Sequence, residues 1–337
     1  MHFLWKRMIG TIPSLVGVIV VTFLLSRALP GDPAAFFAGP AANAISIAEV
    51  RTKLGLDQSL PEQFIRYVRD LSRGELGTSL ITGQPVIQDL IARLPASIEL
   101  TVFALLFAVS VAIPLGVWAA TSPDSAVDHT CRVLVSVGAA LPTFFVGLLF
   151  VYIFYFVFNI APQPVGRLNE MFLSPPPRVT GAYTVDALLA GDWPVFRAAL
   201  AQLVLPTISL GLFALAPIAR ITRAAMLQAL GSDFIRTARA SGLPTRKILF
   251  TYAFRNALLP VSNVLGMVFS FLLGSNVLIE QVYGWQGVGA YAVTAVISSD
   301  YAVVQGFVLT MAILYVLLNL LVDLLGTLID PRVRFES

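Results

Sequence analysis

"LTVFALLFAVSVAIPLGVWAA", residues 100–120, is an apolar run without a charged side chain. A helix needs about 20 residues to cross the hydrocarbon core of a bilayer, because each residue adds about 1.5 Å along the axis. The run is therefore long enough to span a membrane. It must do so as a helix, since lipid offers no partners for backbone N–H and C=O groups.

The composition of the whole chain agrees with a membrane protein. Of its 337 residues, 57% are hydrophobic and only 12% are charged, and the mean hydropathy is +0.82. Soluble domains carry about 25% charged residues. Five further apolar runs have spanning length, so we expect an all-α integral membrane protein with six transmembrane helices. The predicted spans are residues 9–29, 98–120, 133–158, 201–222, 257–280 and 301–325.

The distribution of cations predicts how the chain crosses the membrane, because cytoplasmic segments are enriched in Lys and Arg. If residues 1–8 are cytoplasmic, the inner segments hold twelve of the 22 cations and six of the 19 acids, and the remaining segments are net negative. Both termini, residues 1–8 and 326–337, are then cytoplasmic. Residues 30–96 form an extracytoplasmic module, and residues 223–256 form the longest cytoplasmic loop.

That loop contains "RTARASGLPTRKILFTYAFRNALLP", residues 236–260, which carries five cations and no acid. Gly242 stands where a helix would end, and Pro244 prevents its continuation. A second helix begins near Thr245 and leads into the fifth span. Ala238 and Ala240 are small enough to allow close approach, so the pattern predicts a helical elbow that docks with a partner. An ordinary helix stop in a basic loop is the alternative.

The same stretch resembles the "EAA" loop of binding-protein-dependent ABC importer permeases. The matching positions are Thr237-Ala238-Arg239, Gly242 and Leu258-Leu259-Pro260, although Thr237 replaces the leading acid and Arg239 replaces the second alanine. This departure is typical of the dipeptide/oligopeptide branch. Other motifs of that branch follow in order: "LPGDPA" (29–34), "LGLDQSLPEQF" (54–64), "GELGTS" (74–79), "DYAVVQG" (300–306), "NLLVDLL" (319–325) and "DPRVR" (330–334).

The resemblance implies the fold and the partners of a type I ABC importer permease, with its core over residues 97–325. Such a subunit pairs with a second homologous permease, two ABC ATPase subunits that bind ATP and Mg, and an extracytoplasmic solute-binding protein that delivers a peptide. Glutathione, nickel chelates and opine-like compounds are alternative cargoes in the same machinery. The implied coupling helix consists of Ile235, Arg236, Thr237, Ala238, Arg239, Ala240 and Ser241, with Gly242 at its end.

The sequence predicts no catalytic residue and no cofactor bound by this chain. It contains no G-x-x-x-x-G-K-[ST] phosphate loop, so ATP hydrolysis is assigned to partner subunits. His2, His129 and Cys131 are isolated, and we expect no metal site. Cytoplasmic cations beside the bilayer explain the basic isoelectric point without nucleic acid. An ion-coupled secondary transporter is the alternative of a different class, but the centres of the spans lack acidic groups.

A few polar residues near the ends of the spans are candidates for contact with cargo. Glu280, with Asn276 and Ser275 four and five residues before it, could face the mouth of the path and meet a peptide amine. Snorkelling to headgroups is the alternative for Glu280, as it is for Arg27 and Glu99.

Asp323 lies four residues from Asn319 near the inner end of the last span. We expect a structural role for this carboxylate, in which it pairs with Arg220 or Arg223.

Overall fold

The structure is a computed structural model that describes residues 2–28, 34, 38 and 42–329. Within these residues the regular secondary structure is helical, with one isolated bridge between Thr78 and Pro85. The helices are α1 (His2–Ala28), α2 (Ala44–Leu54), α3 (Leu60–Ser72), α4 (Val86–Thr121), α5 (Ala126–Ala140), α6 (Thr143–Val157), α7 (Tyr183–Ala190), α8 (Trp193–Leu230), α9 (Asp233–Ala240), α10 (Thr245–Tyr283), α11 (Val288–Ile297) and α12 (Tyr301–Ile329).

Four of these helices are long and apolar enough to cross a membrane: α4, α8, α10 and the segment Tyr301–Leu321 of α12. Helices α1 and α6 carry shorter apolar segments, Pro13–Leu24 and Thr143–Val157, at the two remaining predicted spans. The expectation of an all-α membrane fold is confirmed for the described residues.

The third predicted span, residues 133–158, is not one helix. Helix α5 ends at Ala140 and α6 begins at Thr143, with Leu141 and Pro142 extended between them at ψ 138°. Proline disfavours the helical conformation of the residue before it. The prediction of an uninterrupted span is therefore wrong at this point.

Other prolines do not interrupt their helices. Helix α8 runs through Pro206 and Pro217 over 38 residues, and Pro260 lies inside α10. Membrane helices tolerate such prolines because neighbouring groups satisfy the freed carbonyls. The span predicted over residues 201–222 lies within this longer helix.

The chain forms two compact units, and the first comprises Met1–Pro95 with Gln286–Val316. In it α1 contacts α3, where Phe23 and Phe64 meet edge to face at a centroid distance of 5.2 Å. Arg27 Nε donates to Gln63 Oε1 at 2.9 Å. Arg27 therefore does more than snorkel, because it links the apolar first helix to the polar module.

Two of the sequence motifs meet in the same unit. Asp300, of "DYAVVQG", is fully buried and accepts hydrogen bonds from Ser79 Oγ (2.8 Å) and Leu80 N (2.6 Å). Ser79 is the last residue of "GELGTS", and Leu80 follows it. The start of α4 packs beside this joint, where Val86 and Tyr291 belong to one apolar cluster. The two motifs thus form a single structural joint.

The second unit comprises Ala96–Trp285 with Leu317–Ser337. Its core is the contact of α4 with α8 and α10. The face of α4 in this contact is an alanine-rich row at four-residue spacing, and it is buried against larger residues of the other two helices. The residues are Ala96, Leu100, Ala104, Ala108 and Ala112 on α4, Leu203, Leu210 and Ile218 on α8, and Leu272 and Ile279 on α10. Small residues allow membrane helices to pack backbone against backbone.

Gly211 marks a close approach of α8 to α4. A Cβ atom at this position would lie 2.6 Å from Phe107 Cδ1 and 2.9 Å from the Ala104 carbonyl oxygen. The carbonyl cannot move away without disturbing α4, so no larger side chain fits.

We predict that Gly211→Leu destabilises the bundle by about 1–3 kcal/mol or more, because overpacking forces the backbones apart. The measurement is the thermal unfolding of the purified protein in detergent. Gly274→Leu is the matched control, since a Cβ there meets nothing within 4 Å. Equal melting temperatures for the two variants would contradict the close-packed interface.

Candidate functional site

The predicted elbow is present as α9, a turn and the start of α10. Helix α9 covers Asp233–Ala240, close to the residues expected from the sequence. The chain turns at residues 241–244, and α10 begins at Thr245. Residues Ile248–Ala253 have the wider π-helical turn before the helix continues as an α-helix.

The inner face of α9 attaches the elbow to the second unit. Ile235 is fully buried and Ala238 is nearly so, one turn apart on the same face. They pack in an apolar cluster with Met226 of α8 and with Ile248 and Ala253 of α10. Ala238 therefore packs within its own chain, and the expectation that it allows close approach of a partner is wrong.

The turn after α9 is a Schellman motif. Gly242 has φ 73°, its N–H donates to the Arg239 carbonyl at 3.0 Å, and the Leu243 N–H donates to the Ala238 carbonyl at 3.3 Å. These are the two bonds that satisfy the last carbonyls of a helix. The predicted left-handed helix end at Gly242 is confirmed.

The outer face of the elbow is basic and exposed. Six of the predicted coupling residues lie on it: Arg236, Thr237, Arg239, Ala240, Ser241 and Gly242. Arg236 meets Asp233 at 3.3 Å, but both side chains are more than 80% exposed, so this pair contributes little. Phe234 and Phe250 add exposed aromatic surface next to these cations.

A buried carboxylate near the start of α5 binds an arginine near the end of α8 that leads to the elbow. Asp128 near the start of α5 is fully buried and accepts from Arg223 Nε at 2.7 Å and Arg223 Nη2 at 2.6 Å. Arg132 adds a third contact at 3.2 Å. The hydrogen bonds from Arg223 lower the pKa of Asp128 to about 2, so this carboxylate stays ionised at neutral pH.

This bidentate pair was not predicted from the sequence. Arg223, or Arg220, was predicted to pair with Asp323, whose side chain lies outside the described residues. The carboxylate that Arg223 binds is Asp128, which lies 95 positions away along the chain. Arg220 is exposed, and Asn319 is partly buried in α12.

The predicted path residues do not form one stripe. Glu280 is fully buried and accepts a hydrogen bond from Ser97 Oγ at 2.5 Å, and Asn276 Nδ2 donates to the Ser97 carbonyl at 3.2 Å. Ser275 is only partly buried, on a neighbouring face. Glu280 is enclosed by its own chain between α4 and α10. Its side chain therefore neither faces the mouth of a path nor extends to lipid headgroups.

Glu99 is buried in a second polar cluster of the same unit. Arg167 Nη2 donates to Glu99 Oε2 at 2.8 Å, and Thr184 donates to Glu99 Oε1 through both its N–H and its hydroxyl. The Arg167 guanidinium also lies 3.6 Å from the ring centroid of Tyr183. Snorkelling is thus wrong for Glu99, which anchors the loop between α6 and α7.

Among the described residues no group of His, Cys, Asp and Glu side chains could hold a metal ion. The second unit contains two kinds of polar feature. One kind is the buried carboxylates that join its elements. The other is an exposed, cationic elbow that is firmly attached but presents its charge outward.

Comparison with known proteins identifies the class. Residues 112–335 match the family described as "Binding-protein-dependent transport system inner membrane component", and residues 1–101 match the N-terminal family of the same components. The chain belongs to this family. It is accordingly a multi-pass transport subunit of the inner membrane.

Full-length relatives are similar over almost the entire chain. A "Probable D,D-dipeptide transport system permease protein" of Escherichia coli K12 is 44% identical over 97% of this chain and 96% of its own length. A dipeptide transport system permease protein of the same organism is 38% identical over the whole of both chains. A di/tripeptide transport system permease protein of Pseudomonas aeruginosa is 38% identical over 100% of this chain and 99% of its own.

We predict that Asp128→Asn lowers the melting temperature of the purified protein by several degrees, because Arg223 loses its charged partner. Since the pKa of Asp128 is lowered, its stabilising effect is complete above about pH 5 and is lost as the pH falls towards about 2. Asp124→Asn is the control, as this carboxylate is 88% exposed and 3.7 Å from Arg132. A melting temperature of Asp128→Asn equal to that of the control would disprove the role of the pair.

A further prediction concerns the buried pair Glu99–Arg167. Glu99→Gln and Arg167→Gln should each cost about 3–5 kcal/mol of unfolding free energy, because each leaves the other charge buried without its partner. The double variant should cost less than the sum of the two, measured by denaturation in a double-mutant cycle. Asp233→Asn, in the exposed pair, should cost less than about 1 kcal/mol. Strictly additive effects would count against the pair.

Proposed function

We propose that this chain is one of two homologous permease subunits of an ATP-driven ABC importer of di- or oligopeptides. The observation that carries the proposal is the full-length similarity to dipeptide permeases, together with an exposed basic elbow at the position of the "EAA" loop. A solute-binding protein would deliver the peptide at the outer face. This orientation, with both termini and the elbow in the cytoplasm, is part of the proposal.

The elbow is proposed to carry the movement of the ATPase subunits to the membrane helices. Its exposed face presents Arg236 and Arg239 to acidic groups of a partner, which favours charge-assisted hydrogen bonds. Its buried face, through Ile235, contacts both α8 and α10 in one apolar cluster. A push on α9 therefore acts on two candidate transmembrane helices at once, because well-packed clusters transmit strain.

The chain itself is proposed to handle no nucleotide. Its sequence has no phosphate-binding loop, so ATP and Mg would be bound by the two ATPase subunits. What the permease supplies is the attachment point and the path. The buried positions of Glu280 and Asn276 favour a structural role for them, and cargo contacts are then left to surface residues of the path.

The test uses Gly242, because a Cβ there meets no atom within 4 Å and only its φ of 73° is special. Gly242→Val forces a β-branched residue into the left-handed region at a cost of about 1–2 kcal/mol. We expect ATPase activity stimulated by the peptide-loaded binding protein, and uptake into proteoliposomes, to fall roughly tenfold.

Gly242→Asn is the matched control, since asparagine tolerates positive φ, and it should retain most of the activity. Insertion in the membrane should be normal for both variants. Co-purification in mild detergent should identify two ATPases and a second permease with the wild-type chain. Normal coupled activity of Gly242→Val would refute the role of the elbow, and purification as a self-sufficient homo-oligomer would refute the importer.

A further inference from the structure

A cavity of about 290 Å³ lies in the second unit, where α4, α5 and α8 approach their ends nearest the elbow. Its walls are mostly apolar and include Leu115, Ala119 and Val135. One water needs only about 10–15 Å³ of such space. The cavity is therefore much larger than a packing defect, and it has room for part of an organic molecule.

Three arginines line the cavity: Arg132, Arg220 and Arg223. Two of them are engaged by Asp128, as described above. Arg220 is exposed, and within the described part of the chain it has no hydrogen bond or ion pair. Among the described side chains, none pairs with this positive charge, which lies beside an apolar cavity.

The cavity lies at the level where lipid headgroups are expected. Arg220 and Arg223 flank the end of the span predicted over residues 201–222, and α4 ends at Thr121, two residues after Ala119 in the cavity wall. Trp118 on the same turn is 58% exposed, and tryptophan is enriched at membrane interfaces. Basic pockets between helices at this level suit anionic headgroups.

We propose that this cavity binds an anionic phospholipid. Its phosphate would contact Arg220, with Arg132 next to it, and the beginning of an acyl chain would lie against Leu115, Ala119 and Val135. The charge selects an anion, and the apolar walls favour a lipid over a small soluble ion such as phosphate. Assignment to the inner leaflet rests on the orientation given under the proposed function; the site itself does not.

Occupancy would hold together the three helices that surround the cavity. The base of α8 leads directly to α9 through a two-residue connection at Gly231 and Ser232. A lipid bound at Arg220 would therefore stabilise the helix end from which the elbow extends. The lipid would act as a structural ligand rather than as cargo.

Cys131 provides a direct probe, because it lines the cavity, is nearly buried and is the single cysteine of the chain. The purified complex is delipidated and reconstituted either in phosphatidylcholine alone or in phosphatidylcholine in which about one lipid in three is phosphatidylglycerol. At this fraction phosphatidylglycerol is in large excess over the protein. Alkylation of Cys131 by a small maleimide is followed by peptide mass spectrometry. We expect roughly tenfold slower alkylation with phosphatidylglycerol, and no protection by inorganic phosphate in phosphatidylcholine alone.

Two substitutions test the arginine. Arg220→Gln should abolish protection by phosphatidylglycerol, whereas Arg220→Lys should retain part of it. Arg255→Gln removes a matched exposed cation of α10 that does not line the cavity, and it should leave protection unchanged.

Equal alkylation rates of the wild-type complex in both lipids would overturn the proposal, as would equal protection by inorganic phosphate or full protection in Arg220→Gln. Because the readout is chemical access to Cys131 and not transport, a failure here is distinct from a failure of the proposed function. If Gly242→Val loses coupled activity but phosphatidylglycerol does not protect Cys131, the permease assignment stands and only the lipid-binding proposal fails.

Discussion

The close contact between α4 and α8 is the constraint on which the second unit depends. In a bilayer no hydrophobic effect drives helices together, so their association relies on van der Waals packing and polar contacts. The alanine row from Ala96 to Ala112 and the gap at Gly211 provide that packing. The polar contacts lie towards the two ends of the bundle, as Glu280 with Ser97 at one end and Asp128 with Arg223 at the other. Between these two ends the packed cluster is mostly apolar, and it includes one hydrogen bond between the Ser209 and Tyr283 hydroxyls at 2.9 Å.

The elbow is attached to this bundle through one apolar cluster. Helix α9 does not belong to the bundle, but its buried face shares one apolar cluster with the ends of α8 and α10. The π-helical turns at Ile248–Ala253 lie in that same cluster. Such turns mark functional positions in many helices. The elbow is thus attached to both helices through side chains, and its outer face remains available for partners.

The sequence predicted those features that depend on local chemistry. Run length and the lack of charge located the apolar helices, and Gly242 with Pro244 located the end of α9 because glycine permits positive φ and proline cannot continue a helix. The pairs Asp128–Arg223 and Glu99–Arg167 were not predictable, since the partners are far apart in sequence and a single chain gives no sign of their contact. Proline alone was ambiguous as well: Pro142 separates two helices, whereas Pro206 lies inside one. The burial of Glu280 depends on Ser97 of another helix, which no spacing within α10 reveals.

The central claim is that the outer face of the elbow lies in the cytoplasm against an ATPase subunit. The most direct measurement is the labelling of a cysteine placed at Arg239, in a Cys131→Ser background, with a membrane-impermeant maleimide. The account predicts labelling in inside-out vesicles but not in right-side-out vesicles, and protection of the same cysteine when the ATPase subunits are bound. Labelling from the outside, or labelling that the ATPases leave unchanged, would contradict it.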